Sequence, residues 1–434
     1  MLIKPLVVMR RLRIIGAALG VVFVTTAFVG LPFISHSPSA PVDPEPPKPL
    51  PYIGPVLDDD PKPLPAFVNK GLAWLAEAQF ENGGWGAGSH SRQDIRDPRV
   101  VQIDPATTAF SAMAFLRAGN TLTDGPYRAT VSKALAYLLD LVEAAPEEGT
   151  AISDVTGTQP QVKLGQNVDV AMVAQFLTQA LPHTEHDAAL RERVAEALER
   201  CVTKLARAQD ADGSWNSRGG WAGVLQSAMA NNALEMAQDA GLDIDADALD
   251  RSRQYQKDNL DETSGEVKTE SAAGIALYSI ASNQRATAKE AREAEEKIAE
   301  GLRGGRFSLP AETKIDETVV TEGNLMAVGY EQEDAERLAE AYRKNKAASR
   351  MVRDDAVLAG FGNNGGEEYL SYMMTSESLA TTGGEDWETW YDKMNTRLSK
   401  VQNPDGSWSG HHCITSPVFC TAAVILTMTA DRAV

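Results

Sequence analysis

Cysteine is scarce in this sequence and a long basic stretch is missing from it. Three cysteines among 434 residues cannot build a disulfide framework; at most they make one bridge or contribute to one local site. The formal charge is −19, spread over the body of the chain. A nucleic-acid partner needs a Lys/Arg surface to neutralise phosphates, so that class is excluded. What is present, 43% hydrophobic and 23% charged residues, is the composition of a folded globular protein.

The first residues stand apart. Lys4, Arg10, Arg11 and Arg13 precede an uncharged apolar run from Ile14 to Ile34, about the 20 residues a helix needs to cross a bilayer. Positive charge on its N-terminal side directs that end to the cytoplasm and the rest outward. Residues 1–36 are therefore expected to be a basic start and signal anchor. It would hold an exported domain, periplasmic or extracellular, at the inner or plasma membrane through residues 14–34. A cleaved secretory signal is the alternative, although no clean Ala-x-Ala site follows. Residues 37–65 hold eleven of the 22 prolines, a density that excludes helix and sheet and favours an extended spacer. The folded domain is expected over residues 66–434.

Within that domain the sequence repeats itself. Lys70, Leu75, Gln79, Gly83 and Trp85 are matched by Arg200, Leu205, Gln209, Gly213 and Trp215, and again by Lys393, Leu398, Gln402, Gly406 and Trp408, with identical spacing. The intervals between the tryptophans fit two and three copies of a unit of about 64 residues. Weaker copies surround Lys133 with Leu138, Arg251 with Tyr255 and Leu260, and a turn at Gly305-Arg306-Phe307. In each strict copy an amphipathic helix ends at a Gly turn covered by the Trp. A second helix follows, at 107–118, 166–181, 222–240, 270–282, 368–380 and 416–429. These second helices are apolar nearly all round, as buried helices are. Alternating amphipathic and buried helices predict an all-α fold, an α/α toroid: a double ring of about six helical hairpins. Residues 286–350 have helical pattern without an evident place in a pair.

The motif carried by Gln79/Trp85, Gln209/Trp215 and Gln402/Trp408 resembles the QW motif of squalene and oxidosqualene cyclases. The wider set is similar to the prenyltransferase and squalene-oxidase repeat over roughly residues 66–434. The resemblance implies that these glutamines and tryptophans are structural. It does not settle chemistry. The Asp-x-Asp-Asp acid of the cyclases is missing, as are the Asp-Asp-x-x-Asp magnesium motif and the Cys-Gly-Glu-Gln thioester motif. The Asp-x-Cys zinc pair of the prenyltransferases is missing too.

Two groups of residues remain as candidates. His411, His412 and Cys413 lie at the mouth of an inner helix, where imidazole and thiolate are suitable zinc ligands, with Glu367 or Glu368 completing a set. The plainer reading is packing or a disulfide between Cys413 and Cys420. A catalytic thiol is the third. Glu367, Glu368 and Tyr369 follow a Gly-rich loop. As paired carboxylates they suit acid/base catalysis with Tyr372 and Glu377, and as helix-start charges they suit the helix dipole. His90 and Asp104 are further rim residues, Asp104 also as a helix cap. Cys201 and Met373-Met374 read as core. Two functions follow: a binding toroid taking a hydrophobic isoprenoid-like chain or an extended peptide in its funnel, or an enzyme with a noncanonical site at that funnel.

Overall fold

The computed structural model describes residues 61–309 and 314–432. The expected anchor at 14–34 and nearly all of the Pro-rich spacer lie outside them. Among the described residues no helix is long and apolar enough to cross a membrane.

Twelve α-helices of twelve or more residues are described. They pair in chain order as α1 (Ala66–Ala78) with α2 (Pro105–Arg117), α3 (Arg128–Ala144) with α4 (Val168–Ala180), and α5 (Ala188–Ala208) with α6 (Gly223–Asp239). Next come α7 (Ala246–Lys257) with α8 (Ala276–Arg303), α9 (Gln332–Met351) with α10 (Gly366–Thr382), and α11 (Gly384–Lys400) with α12 (Pro417–Met428). The even-numbered helices pack in the order α2–α4–α6–α8–α10–α12, and α12 returns to α2. The inner ring is closed. The odd-numbered helices pack outside it, which makes the chain an α/α toroid.

Burial follows the sequence pattern. Every residue of α2, α10 and α12 is buried, whereas α5 buries one stripe, Val194, Ala197, Leu198, Cys201, Val202, Leu205 and Ala208. Met373 and Met374 are core, as is Cys201.

The three strict repeats form one joint, made three times. The indole N–H of Trp85, Trp215 and Trp408 donates to the backbone oxygen of Leu75, Leu205 and Leu398, each at 2.9 Å. The backbone N–H of each Trp donates to a hydroxyl on the following inner helix: Thr108, Ser227 and Thr421. The Gln amide donates twice. One bond closes its own turn, to Gly83, Gly213 or Gly406. The other reaches the next outer helix: Gln79 to Thr130, Gln209 to Ala248, and Gln402 to Phe67. Each Trp thus fastens outer helix to inner helix, and each Gln fastens one hairpin to the next.

Two expectations need correction. The helix expected at 270–282 begins at Ala276, because Ala273 and Gly274 have φ of +53° and +81° and break the backbone before it. It then runs without interruption to Arg303, which absorbs the first part of the unassigned stretch. The segment between Arg303 and α9 supplies Val319, Val320 and Leu325 to a small second core, which they share with Ile298 of α8 and with Leu338 and Tyr342 of α9. The Gly305 turn accordingly follows an inner helix and is no copy of the repeat turn.

Candidate functional site

The inner helices begin on one face. Tyr278 of α8 donates to Glu368 of α10 at 2.7 Å. The Gln159 side-chain oxygen accepts the Thr415 and Ser416 N–H groups ahead of α12. The Asn167 N–H ahead of α4 donates to Gln226 of α6 at 2.6 Å. This face is the mouth expected from the sequence.

Glu367 and Glu368 are both buried there. Burial, with the neighbouring Glu368 charge, pushes Glu367 up to about 7 against the opposing effect of the Ile414 N–H. That N–H donates to Glu367 Oε2 at 3.1 Å. Glu368 Oε1 accepts from the Tyr278 hydroxyl and from the Phe361 N–H at 2.9 Å. Its Oε2 makes no hydrogen bond and lies 3.9 Å from His412 Nε2, whose ring nitrogens are likewise unbonded. Burial and the Glu368 charge raise the Tyr278 phenol, so it stays a donor. The glycines of the loop are required at this point: a Cβ on Gly360 or Gly365 would stand 2.5 Å from a Glu368 oxygen.

Tyr369 packs against Tyr372 with ring centroids 6.2 Å apart. Its phenol is raised by burial. Tyr372 turns outward and donates to Leu358 O at 2.5 Å. Neither makes a hydrogen bond to the acid pair among those described. Glu377 is not at the mouth. Ten residues along α10 place it about 15 Å away, at the other end of the ring.

The metal and disulfide expectations are both corrected. Among the described residues no three His, Cys, Asp or Glu side chains gather closely enough to hold a metal ion. His411 is exposed, His412 faces Glu368, and the Cys413 thiol lies beside the Glu367 carboxyl group. These residues do not fit zinc. Cys413 and Cys420 are free thiols, because Cys413 sits in a left-handed turn at φ +58° while Cys420 is buried within α12 with its sulfur toward Ile414 O. Burial and the Glu367 charge push the Cys413 thiol up to about 12. A thiol so poorly ionised is a weak ligand and a weak nucleophile.

Two carboxylates meet at the start of α2. Asp104 caps that helix, accepting the Thr107 N–H at 2.8 Å and the Ala87 N–H at 2.8 Å; burial pushes it up to about 6. Asp169 of α4 accepts from Gln161 at 2.7 Å, and burial and the Asp104 charge push it up to about 8. His90, expected at the rim, lies in a short turn beside Gln93 at 3.2 Å. Burial and the Lys163 charge lower its pKa.

Asp169, Tyr278, Gln159 and Lys163 were not singled out from the sequence. A lone acid in the apolar run Val168-Asp169-Val170-Ala171 is a signal that would have found Asp169.

The opposite end of the ring is bridged by charge. Glu377 receives Arg117 at 2.6 Å and Arg285 at 3.0 Å, Arg285 also pairs with Glu235 at 2.9 Å, and Arg117 Nε donates to Gln179. These contacts link α6, α8, α10, α2 and α4, crossing between helices that are not ring neighbours. Burial alone would raise both acids, but the guanidiniums outweigh it, holding Glu377 below its ordinary range and Glu235 at about 2. Open volume lies at both ends: a cavity of about 520 Å³ opens beside these ion pairs, lined by Thr178, Met236, Arg285 and Glu377, and a second is on the rim of the mouth face. A cleft of about 770 Å³ lies beside the end of α3, lined by Leu141, Ala145, Ile152, Val155, Gln102 and Arg218.

No family model matches the sequence, and no curated relative is found. Among solved structures the chain is similar to a type II terpene cyclase variant from Scytonema, in complex with its substrate geranylgeranyl dihydroxybenzoate. The identity is 12% and the TM-score 0.38, over 84% of this chain and 96% of that one. The toroid rests on the closed ring of contacts within this chain and not on that likeness.

Proposed function

We propose that this chain is a binding toroid, exported and tethered to a membrane by residues 14–34. Its ligand is an extended hydrophobic one, an isoprenoid-like chain or an apolar peptide segment. The observation that carries the reading is a ring axis crossed by ion pairs, beside an open and largely apolar cleft on the mouth face. A ligand threaded through the ring is incompatible with Arg117 and Arg285 locked to Glu377, and of the two open volumes the rim cleft is the larger. Clefts of several hundred Å³ with apolar walls and a few polar groups are the usual form of such sites. The test is mass spectrometry of what co-purifies with the full-length chain, followed by titration with a fluorescent farnesyl probe and with an apolar peptide. Saturable binding of either, weakened by Ile152→Asp in the cleft, supports the reading. Binding of neither overturns it.

A second reading, an acid/base enzyme at the mouth, is favoured by one observation. The unbonded Glu368 oxygen faces an unbonded His412 nitrogen, with the exposed Phe361 ring edge-on to the imidazole at 5.0 Å. In that reading Tyr278 orients Glu368, and His412 is the group that solvent and substrate reach. Its test is turnover of the bound ligand that His412→Ala abolishes while binding remains.

A further inference from the structure

Six cationic side chains are buried among the described residues: Lys163, Lys204, Lys257, Lys344, Arg117 and Arg285. Five of them are held by oxygen. Lys204 donates to Pro146 O at 2.6 Å, Lys257 pairs with Glu290 at 2.8 Å, and Lys344 bonds to Leu260 O and Glu262. Arg117 and Arg285 share Glu377. Lys163 is the exception. It is 5% exposed, yet among the described residues its ammonium has no hydrogen bond and no ion pair, only the Trp221 ring at 3.9 Å.

The short helix Gln159–Lys163 aims this group at the mouth. Gln159, one turn earlier and so on the same face, accepts the Thr415 and Ser416 N–H groups. Cys413, Glu367 and His90 all feel the Lys163 charge. Glu367 is engaged elsewhere, accepting the Ile414 N–H. The inner helices start at this face, and their partly positive N-termini cannot balance a cation. An unpaired charge so deeply buried is costly. The contact with the indole offsets part of that cost; the rest is a demand for an anion.

Trp221 is the second observation. Its ring is 64% exposed and follows the Gly219-Gly220 turn, with φ of +83° and +106°. Glycine is required at 220, where a Cβ would stand 2.2 Å from Leu164 O. The Ala222 N–H donates to Lys163 O at 2.8 Å, which ties the turn to the lysine. One unbalanced positive charge, with the buried Glu367 and Glu368 nearby, suits a monoanion, because a dianion would meet their repulsion. An exposed indole suits an apolar body.

We propose that Lys163 and Trp221 form a binding site for a monocarboxylate with an apolar body: the Lys163 ammonium donates to the carboxylate, and the Trp221 indole covers the apolar part. Lys163 does not line the rim cleft, so this site stands or falls apart from the binding function proposed there.

The test is calorimetric titration of the full-length chain with octanoate, benzoate and inorganic phosphate near neutral pH, with thermal denaturation in the absence of ligand. The expected result is saturable binding of octanoate or benzoate, with phosphate weaker. Lys163→Met should weaken carboxylate binding about tenfold to a hundredfold, as loss of a charge-assisted hydrogen bond does. Without ligand the same variant should keep or raise Tm, because it removes an uncompensated buried charge at similar volume. No saturable carboxylate binding, phosphate binding as tight, or affinity unchanged in Lys163→Met overturns the site. A lowered Tm in Lys163→Met, or a chain that no longer folds, makes the ammonium a structural group and overturns it too. Trp221→Ala, at an exposed side chain, tests the site without touching the core: octanoate should bind more weakly, and an unchanged affinity contradicts the proposal.

Discussion

The side-chain amide of Gln402 donates to the backbone oxygen of Phe67 at 2.9 Å, across 335 positions of sequence. This bond repeats what Gln79 and Gln209 do between consecutive hairpins, but here it joins the last hairpin to the first. It is the seam of the ring. Gln402→Ala removes this bond and the one to Gly406, a loss of about 1–3 kcal/mol. Thermal denaturation should show a lowered Tm. Hydrogen exchange should rise over 66–78 in Gln402→Ala, whereas Gln209→Ala should raise it over 246–257.

The repeat glycines rank by what their backbone meets. Gly83, Gly213 and Gly406 all have positive φ. A Cβ would approach Lys133 O to 2.3 Å and Arg251 O to 2.2 Å, but Lys70 O only to 3.0 Å. Gly83→Ala and Gly213→Ala should each destabilise by more than the ~1 kcal/mol of an ordinary left-handed strain. Gly406→Ala should cost less than either. Urea titrations of the three variants give the order directly.

Charge at the bridged end sets a third expectation. Arg285→Ala leaves Glu235 and Glu377 buried with fewer partners, which costs about 3–5 kcal/mol. Arg285→Ala combined with Glu377→Gln should recover part of that loss, measured by the same titration.

Stability should fall as pH rises from mildly acidic values. Asp104, Glu367 and Asp169 are raised to about 6, 7 and 8. Their contribution is complete below the ordinary carboxyl range near pH 4 and is lost progressively as pH climbs through those values. Glu235 and Glu377 are depressed and act in the opposite sense, contributing above pH 4 and failing in acid. The optimum is therefore mildly acidic. Denaturant midpoints at pH 5, 7 and 9 should decline in that order, and Glu367→Gln should flatten the decline.

Thiol chemistry checks the mouth. All three cysteines should react with a thiol reagent in denaturant. In the native state Cys413, half-buried, should react slowly, while Cys201 and Cys420 stay protected. A missing pair of thiols in denaturant would restore the disulfide.

Much of the ring was legible because its joints are local. The Trp, Gln and Gly of each repeat lie within one turn of sequence, and their spacing declares them. Burial of the second helices was equally plain from their Ala, Val and Ile content. Of the site, Glu367, Glu368, His412 and Cys413 were legible, but their partners were not, because those bonds are long-range: Tyr278 meets Glu368 across 90 residues and Gln159 meets Thr415 across 256. Helix α8 was obscured for another reason. It begins after a left-handed Ala273, which no composition rule anticipates, and it continues past the ring into a second small core.

The measurement that bears most directly on the closed ring is lysine cross-linking with a short amine-reactive reagent, read by mass spectrometry. Closure places Lys70 beside the turn that follows α11, so links from Lys70 to Lys393 or Lys400 are predicted. Links confined to hairpins adjacent in sequence, with none between the first and last, would contradict it.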